Sequence, residues 1–191
     1  MDSVAVAGIE RRSVVEFVGS MVTFWQALIV NAFGMTTDTL ALALLGGLAI
    51  ALIISIYTDI RYRLIFNNIT IPIALCAPLY WYATDDFTLS GIGLHLLTSA
   101  VTFAFFGFWF RLGMMGGGDV KLFAALALWF PWNEVVLMVL YASILGAMVT
   151  SIFLGIHKLR QGVGPARIPY GVAISIVGLW MTGERFFNHF T

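Results

Sequence analysis

Charged residues are scarce in this sequence. Only 10% of its 191 residues are Asp, Glu, Lys or Arg, whereas 60% are hydrophobic. A soluble domain carries about 25% charged residues, and a chain of this size exposes too much surface to cover with so few charges. The composition therefore excludes a water-soluble globular fold. The formal net charge of zero gives no basis for a nucleic-acid partner.

Cysteine is nearly absent as well, because Cys76 stands alone within an apolar run. One thiol forms no intrachain disulfide and supplies no cysteine zinc site. The three histidines are widely separated, so the metal-binding pattern His-Glu-x-x-His does not occur. Neither the glycine-x-serine-x-glycine motif of serine hydrolases nor phosphate-loop spacing is present. The sequence thus predicts no metal and no cofactor.

Long apolar runs are what the sequence has instead. A membrane-crossing helix needs about 20 mostly apolar residues. Besides the six core runs given below, a more polar run at 14–35 is also predicted to span the membrane. The alternatives for this run are an interfacial helix and a signal-like segment. The predicted fold is an all-α, polytopic integral membrane helical bundle. It comprises an N-terminal segment, 1–36, and a six-helix transmembrane domain, 37–191. The six core runs lie at about 38–58, 68–84, 89–110, 119–132, 134–156 and 168–183.

The basic residues indicate the orientation of these spans. With alternating crossings, nine of the ten Lys and Arg residues fall on one side, and Arg185 is the only one on the other. Such asymmetry marks the cytoplasmic side. The nine are Arg11, Arg12, Arg61, Arg63, Arg111, Lys121, Lys158, Arg160 and Arg167.

Two acidic residues stand apart from the other eight. Asp59 ends the first core run, and Asp119 begins the fourth, directly after three glycines. The first run enters the cytoplasmic side and the fourth leaves it, so both carboxylates are expected at similar depth near that face. Carboxyl groups a few ångströms apart share one proton near neutral pH. Such a pair activates water and stabilises the oxyanion of a peptide under attack.

Simpler roles for these residues remain open from the sequence. Asp119 suits a helix N-cap, Asp59 suits an interfacial ion pair with Arg61 or Arg63, and Lys121 suits a lysine extending to the lipid interface. At the level of function, the alternatives are a small proton- or cation-coupled transporter using the same two carboxylates and a noncatalytic assembly factor.

Three segments, in order, resemble the type IV prepilin peptidases. Gly116-x-Gly118-Asp119-Val120-Lys121-Leu122 is similar to the family's glycine-x-glycine-Asp signature, and Asp59-Ile60-Arg61-x-Arg63-x-Ile65-x-Asn67 to its first aspartate segment. Phe66 stands where that segment usually has proline. Ile168-Pro169-Tyr170-Gly171-Val172-Ala173 resembles the opening of the last helix. Together these segments place the resemblance over residues 40–180.

The resemblance implies a glycine-x-glycine-Asp intramembrane aspartyl protease in the cytoplasmic membrane. It would remove the short basic leader of pilin-like precursors, with Asp59 and Asp119 as catalytic residues and Gly116, Gly118, Lys121 and Asn67 in support. Larger members carry a zinc-binding Cys-x-x-Cys insertion and also methylate the new amino terminus. This chain is similar to the short, peptidase-only branch of tight-adherence (Flp-type) pili, so no methyltransferase activity is expected. Archaeal preflagellin peptidases are close relatives, and the oligomeric state stays open.

Overall fold

The computed structural model describes residues 20, 34–159 and 170–188. Within these residues the protein is all-helical and has no strand, as predicted. The predicted run at 14–35 lies almost entirely outside the described residues. Six helices follow in the predicted order: α1 Thr37–Tyr62, α2 Asn67–Ala83, α3 Leu89–Arg111, α4 Gly117–Ala127, α5 Trp132–Leu159 and α6 Tyr170–Asn188.

Three of the six helices have the length and composition to cross a membrane: α1, α3 and the Trp132–Ile152 part of α5. The fold is therefore that of an integral membrane helical bundle. Helix α4 differs, because its 11 residues extend only about 17 Å, against a hydrocarbon core of roughly 30 Å. The predicted run at 119–132 continues past this helix, which ends before Pro131.

The short helix α4 lies in the centre of the bundle. From Asp119 to Ala127 every residue except Lys121 is buried, as expected for a helix that is apolar on nearly all faces. Phe123 stacks on Phe106 of α3, with ring centroids 4.3 Å apart. Leu126 approaches Gly178 of α6, where an added methyl group would lie 3.3 Å from the leucine Cδ1. Helices α3 and α6 thus both pack against α4.

Helices α1 and α6 run antiparallel. Leu52 in the middle of α1 packs against Gly178 in the middle of α6, while Asp59 near the end of α1 reaches Val172 at the start of α6. The end of α1 and the starts of α4 and α6 therefore form one end of the bundle, here named the carboxylate end. This arrangement brings three helix termini together around Asp59 and Asp119.

At the opposite end, Arg185 of α6 joins three other segments. Its guanidinium donates to Glu134 of α5 at 2.9 and 3.3 Å, to the Tyr80 hydroxyl of α2 at 3.2 Å, and to the Trp129 carbonyl at 3.2 Å. It also lies 4.9 Å from the ring centroid of Phe130. A planar guanidinium presents five donors in a fixed fork, which is why one arginine can serve several partners at once.

Replacing Arg185 by alanine should therefore destabilise the bundle. We expect Arg185→Ala to lower the free energy of unfolding by about 1.5–3 kcal/mol, the range for hydrogen bonds to a charged group, measured by denaturant unfolding in detergent micelles. Arg111→Ala is the matched control, because Arg111 is exposed at the carboxylate end. Equal unfolding curves for the two variants would contradict the bridging role of Arg185.

Candidate active site

Asp59 lies one turn before the end of α1 and is 5% exposed. Its Oδ2 accepts a hydrogen bond of 2.9 Å from the backbone N–H of Val172, the third residue of α6. The first N–H groups of a helix have no partner within the helix, and they carry partial positive charge. The Asp59 carboxylate therefore caps α6 from another helix. It is buried against that helix rather than exposed at an interface.

Asp119 is the third residue of α4 and is 8% exposed. The N-cap position of α4 is occupied by Gly116, in extended conformation, so the interpretation of Asp119 as an N-cap is wrong. Its carboxylate instead turns back towards Gly116, where an added methyl group would lie 2.8 Å from Oδ2. An acidic side chain at this third position is typical of the capping box, in which it faces the N-cap backbone.

Both carboxylates line one cavity of about 500 Å³ at the carboxylate end. Much of its wall is the glycine-rich segment 113–118, which comprises the end of the connection from α3 and the first two residues of α4. Gly113 in this segment has a φ of +72°, which favours glycine. Because glycine has no side chain, an extended peptide can approach the carboxylates closely along this wall. Besides the two aspartates and this segment, the cavity is lined by Arg63, Leu64, Ile65 and Tyr170.

The glycines named from the sequence, Gly116 and Gly118, both line this cavity. Lys121 and Asn67 do not, and instead contact each other: the lysine Nζ donates to the Asn67 Oδ1 at 3.0 Å. Both residues are exposed, and both border a separate, mainly apolar groove of about 370 Å³ between α2, α3 and α4. The structure thus groups the six predicted residues into four at the cavity and two beside it.

Sequence reasoning assigned no role to Ile65, Tyr170 or Gly171. All three lie at the site: Ile65 and Tyr170 line the cavity, and Gly171 leaves room for Asp59. The sequence did offer a signal at Gly171. Glycine stands there in the first turn of the helix predicted at 168–183, where a residue with a side chain is usual. No group of three or more His, Cys, Asp or Glu side chains suited to a metal occurs in the part of the chain that the structure describes.

Comparison with known proteins adds an independent finding. Residues 46–151 match the type IV leader peptidase family. The prepilin leader peptidase/N-methyltransferase of Aeromonas hydrophila is 28% identical over 167 residues, covering 83% of this chain and 55% of the relative. That of Pseudomonas aeruginosa is 31% identical over 158 residues, covering 76% and 50%. The chain spans about half the length of the curated relatives it matches. No solved structure matches it.

Proposed function

Because the chain belongs to the type IV leader peptidase family, we propose that it is an aspartyl endopeptidase that removes the basic leader from pilin-like precursors at the cytoplasmic face of the inner membrane. The observation that carries this proposal is the shared cavity: Asp59 and Asp119, on separate helices, line the same 500 Å³ space beside a wall of glycines. The family relationship does not favour the alternative of a proton- or cation-coupled transporter.

The chemistry assigned to the pair is hydrolysis without a covalent intermediate. One carboxyl group is ionised and accepts a proton from a water molecule, whose oxygen attacks the scissile carbonyl carbon. The other is protonated and donates to the carbonyl oxygen, which stabilises the developing charge. Breakage of the C–N bond then passes a proton to the leaving amine. Coupled groups titrate as a pair, so neither residue is assigned the acid role alone.

The position of the basic residues supports the cytoplasmic assignment. Four of the Lys and Arg residues in the described ranges lie near the carboxylate end: Arg61, Arg63, Arg111 and Lys121. Arg185 lies at the opposite end, bound to Glu134. Loops rich in Lys and Arg stay on the cytoplasmic side, so the cavity would open towards the compartment in which precursors are made.

The finer parts of the proposal follow the resemblance seen in the sequence. We assign residues 37–191 as the peptidase unit, with Gly116 and Gly118 as the wall for the substrate backbone and Lys121 with Asn67 in support beside it. We assign the chain to the peptidase-only branch serving tight-adherence pili, with no methyl transfer. A single cysteine provides no Cys-x-x-Cys pair of the kind associated with the larger members.

A reconstituted cleavage assay tests the proposed function. The purified chain in liposomes is mixed with a synthetic precursor consisting of a basic leader followed by a hydrophobic helix, and products are identified by mass spectrometry. We expect cleavage at one peptide bond, unaffected by EDTA or by serine-directed reagents, and no methylated product when S-adenosylmethionine is added. Intact precursor, or cleavage abolished by EDTA, would overturn the proposal.

A further inference from the structure

Ile65 occupies a narrow space between α4 and α6. A methyl group added at Gly118 of α4 would lie 3.0 Å from the Ile65 Cβ, and one added at Gly171 of α6 would lie 2.6 Å from its Cδ1. Real Cβ contacts are rarely as short as the first of these, and the second is shorter still. The absence of side chains at these two glycines is therefore what admits the isoleucine between the helices.

The short connection between α1 and α2 places Ile65 there. Helix α1 ends at Tyr62, and its C-cap residue Arg63 has left-handed φ and ψ angles of 54° and 38°. The Arg63 N–H donates to the Asp59 carbonyl at 2.9 Å. A left-handed residue at the end of a helix reverses the chain direction. Phe66, in extended conformation, then begins α2 as its N-cap. The chain between these residues turns back over the end of α1 and directs Ile65 towards the cavity.

The two glycines that contact Ile65 are next to the groups that hold the carboxylates. Gly118 directly precedes Asp119, and Gly171 directly precedes Val172, the donor to Asp59. Ile65 therefore contacts both backbone positions that orient the carboxyl groups, one next to Asp119 and one next to the N–H donor to Asp59. We propose that Ile65 is a positioning residue that sets the separation of the Asp59 and Asp119 carboxyl groups, an inference that rests on the proposed function.

The physical reason is close packing. Protein interiors leave few voids, and neighbouring segments shift partway into the space that a removed side chain leaves. Alanine at position 65 keeps the Cβ that lies against Gly118 of α4 but removes the Cδ1 that lies against Gly171 of α6. The start of α6 should therefore move towards α4 and bring the two carboxyl groups closer together. A misplacement of about 1 Å in a catalytic group can cost roughly 10²-fold in rate.

The electrostatic surroundings of the pair are defined by few groups. In the described residues, the titratable and charged side chains lining the cavity are Asp59 from α1, Asp119 from α4, Arg63 from the connection and Tyr170 from α6. Ile65 itself is uncharged, so its replacement adds or removes no charge. A wider separation of the two apparent pKa values in an Ile65 variant would therefore report closer carboxyl groups, whereas a shift of both pKa values in the same direction would report altered hydration of the cavity.

The test compares Ile65→Ala, Ile65→Val and the matched control Ile92→Ala in the liposome cleavage assay. Ile92 is also partly buried against the core, but it lies near the start of α3, at the opposite end. We expect Ile65→Ala to lower kcat by about 10- to 100-fold with little change in KM. Because closer carboxyl groups repel more strongly, its bell-shaped pH profile should widen. Ile65→Val keeps both Cγ atoms but lacks the Cδ1 that meets Gly171, so its kcat should lie between those of Ile65→Ala and the unmodified chain. Ile92→Ala should leave both kcat and the pH profile unchanged.

Two outcomes overturn the inference: an unchanged kcat and pH profile in Ile65→Ala, or a rise in KM alone, which would make Ile65 a substrate contact. Failure of the proposed function is distinguishable, since it appears as uncleaved precursor with the unmodified chain. In that event, the role of Ile65 is tested without substrate by infrared titration of the carboxyl band. Asp59→Asn and Asp119→Asn assign the band to the two residues. Equal titration curves for Ile65→Ala and the unmodified chain would then overturn the inference.

Discussion

Precursor cleavage is expected to stop in Asp59→Asn and in Asp119→Asn. Asparagine has nearly the same shape as aspartate but neither accepts a proton from water nor donates one as a carboxylic acid. Each substitution should lower the rate by at least 10²–10⁴-fold, the contribution of a general acid or base. Residues that act as a unit show non-additive losses, so the double variant should be no slower than the worse single variant. The liposome cleavage assay measures all three.

Asp85→Asn is the matched control for these variants. Asp85 is exposed, lies between α2 and α3 at the opposite end, and has a φ of 59° that asparagine tolerates well. It should insert into the membrane and cleave like the unmodified chain. Folding of all variants is checked by their unfolding curves in detergent. Retained processing by either Asp59→Asn or Asp119→Asn would remove the carboxylate pair from the mechanism.

The order and type of the helices could be predicted from the sequence, because an apolar run in lipid has few alternatives to a helix. The first core run was predicted at 38–58, and α1 extends from Thr37 to Tyr62. The difference is physical: the helix continues through Asp59 and Arg61, which ended the apolar pattern, and stops only at the left-handed Arg63. The predicted run thus ends one turn before the helix does, because polar residues bound the run whereas backbone conformation bounds the helix.

The similar depth of Asp59 and Asp119 follows from alternating crossings, since that rule puts the end of one helix and the start of another on the same side of the membrane. Their meeting in one cavity does not follow from it. The partners of these residues do not follow from it. The bond from Val172 to Asp59 joins residues 113 positions apart, and the bridge from Arg185 to Glu134 joins residues 51 apart. A single sequence does not state which helices are neighbours, so such contacts required the structure.

Gly171→Ala should slow precursor cleavage by roughly 10²-fold while leaving the protein folded. The added methyl group would lie 2.8 Å from the Asp59 Oδ2 and 2.6 Å from the Ile65 Cδ1, so the carboxylate must move. A shift of about 1 Å in a reacting group costs a factor of this size. Alanine favours a helix over glycine by about 1 kcal/mol, so the loss should not come from weaker helix formation in α6. The rate is measured as kcat in liposomes.

Gly183→Ala, in the same helix, separates the local effect at Asp59 from a general effect on α6. No atom outside the helix backbone lies within 4 Å of a methyl group added there, so the rate should stay within about twofold of the unmodified chain, as for substitutions that touch nothing. If Gly171→Ala were as active as Gly183→Ala, the Asp59 carboxylate would tolerate displacement. The hydrogen bond from Val172 would then be a helix cap without bearing on catalysis. If Gly171→Ala loses activity and Gly183→Ala does not, the reaction depends on the position in which α6 holds the Asp59 carboxylate.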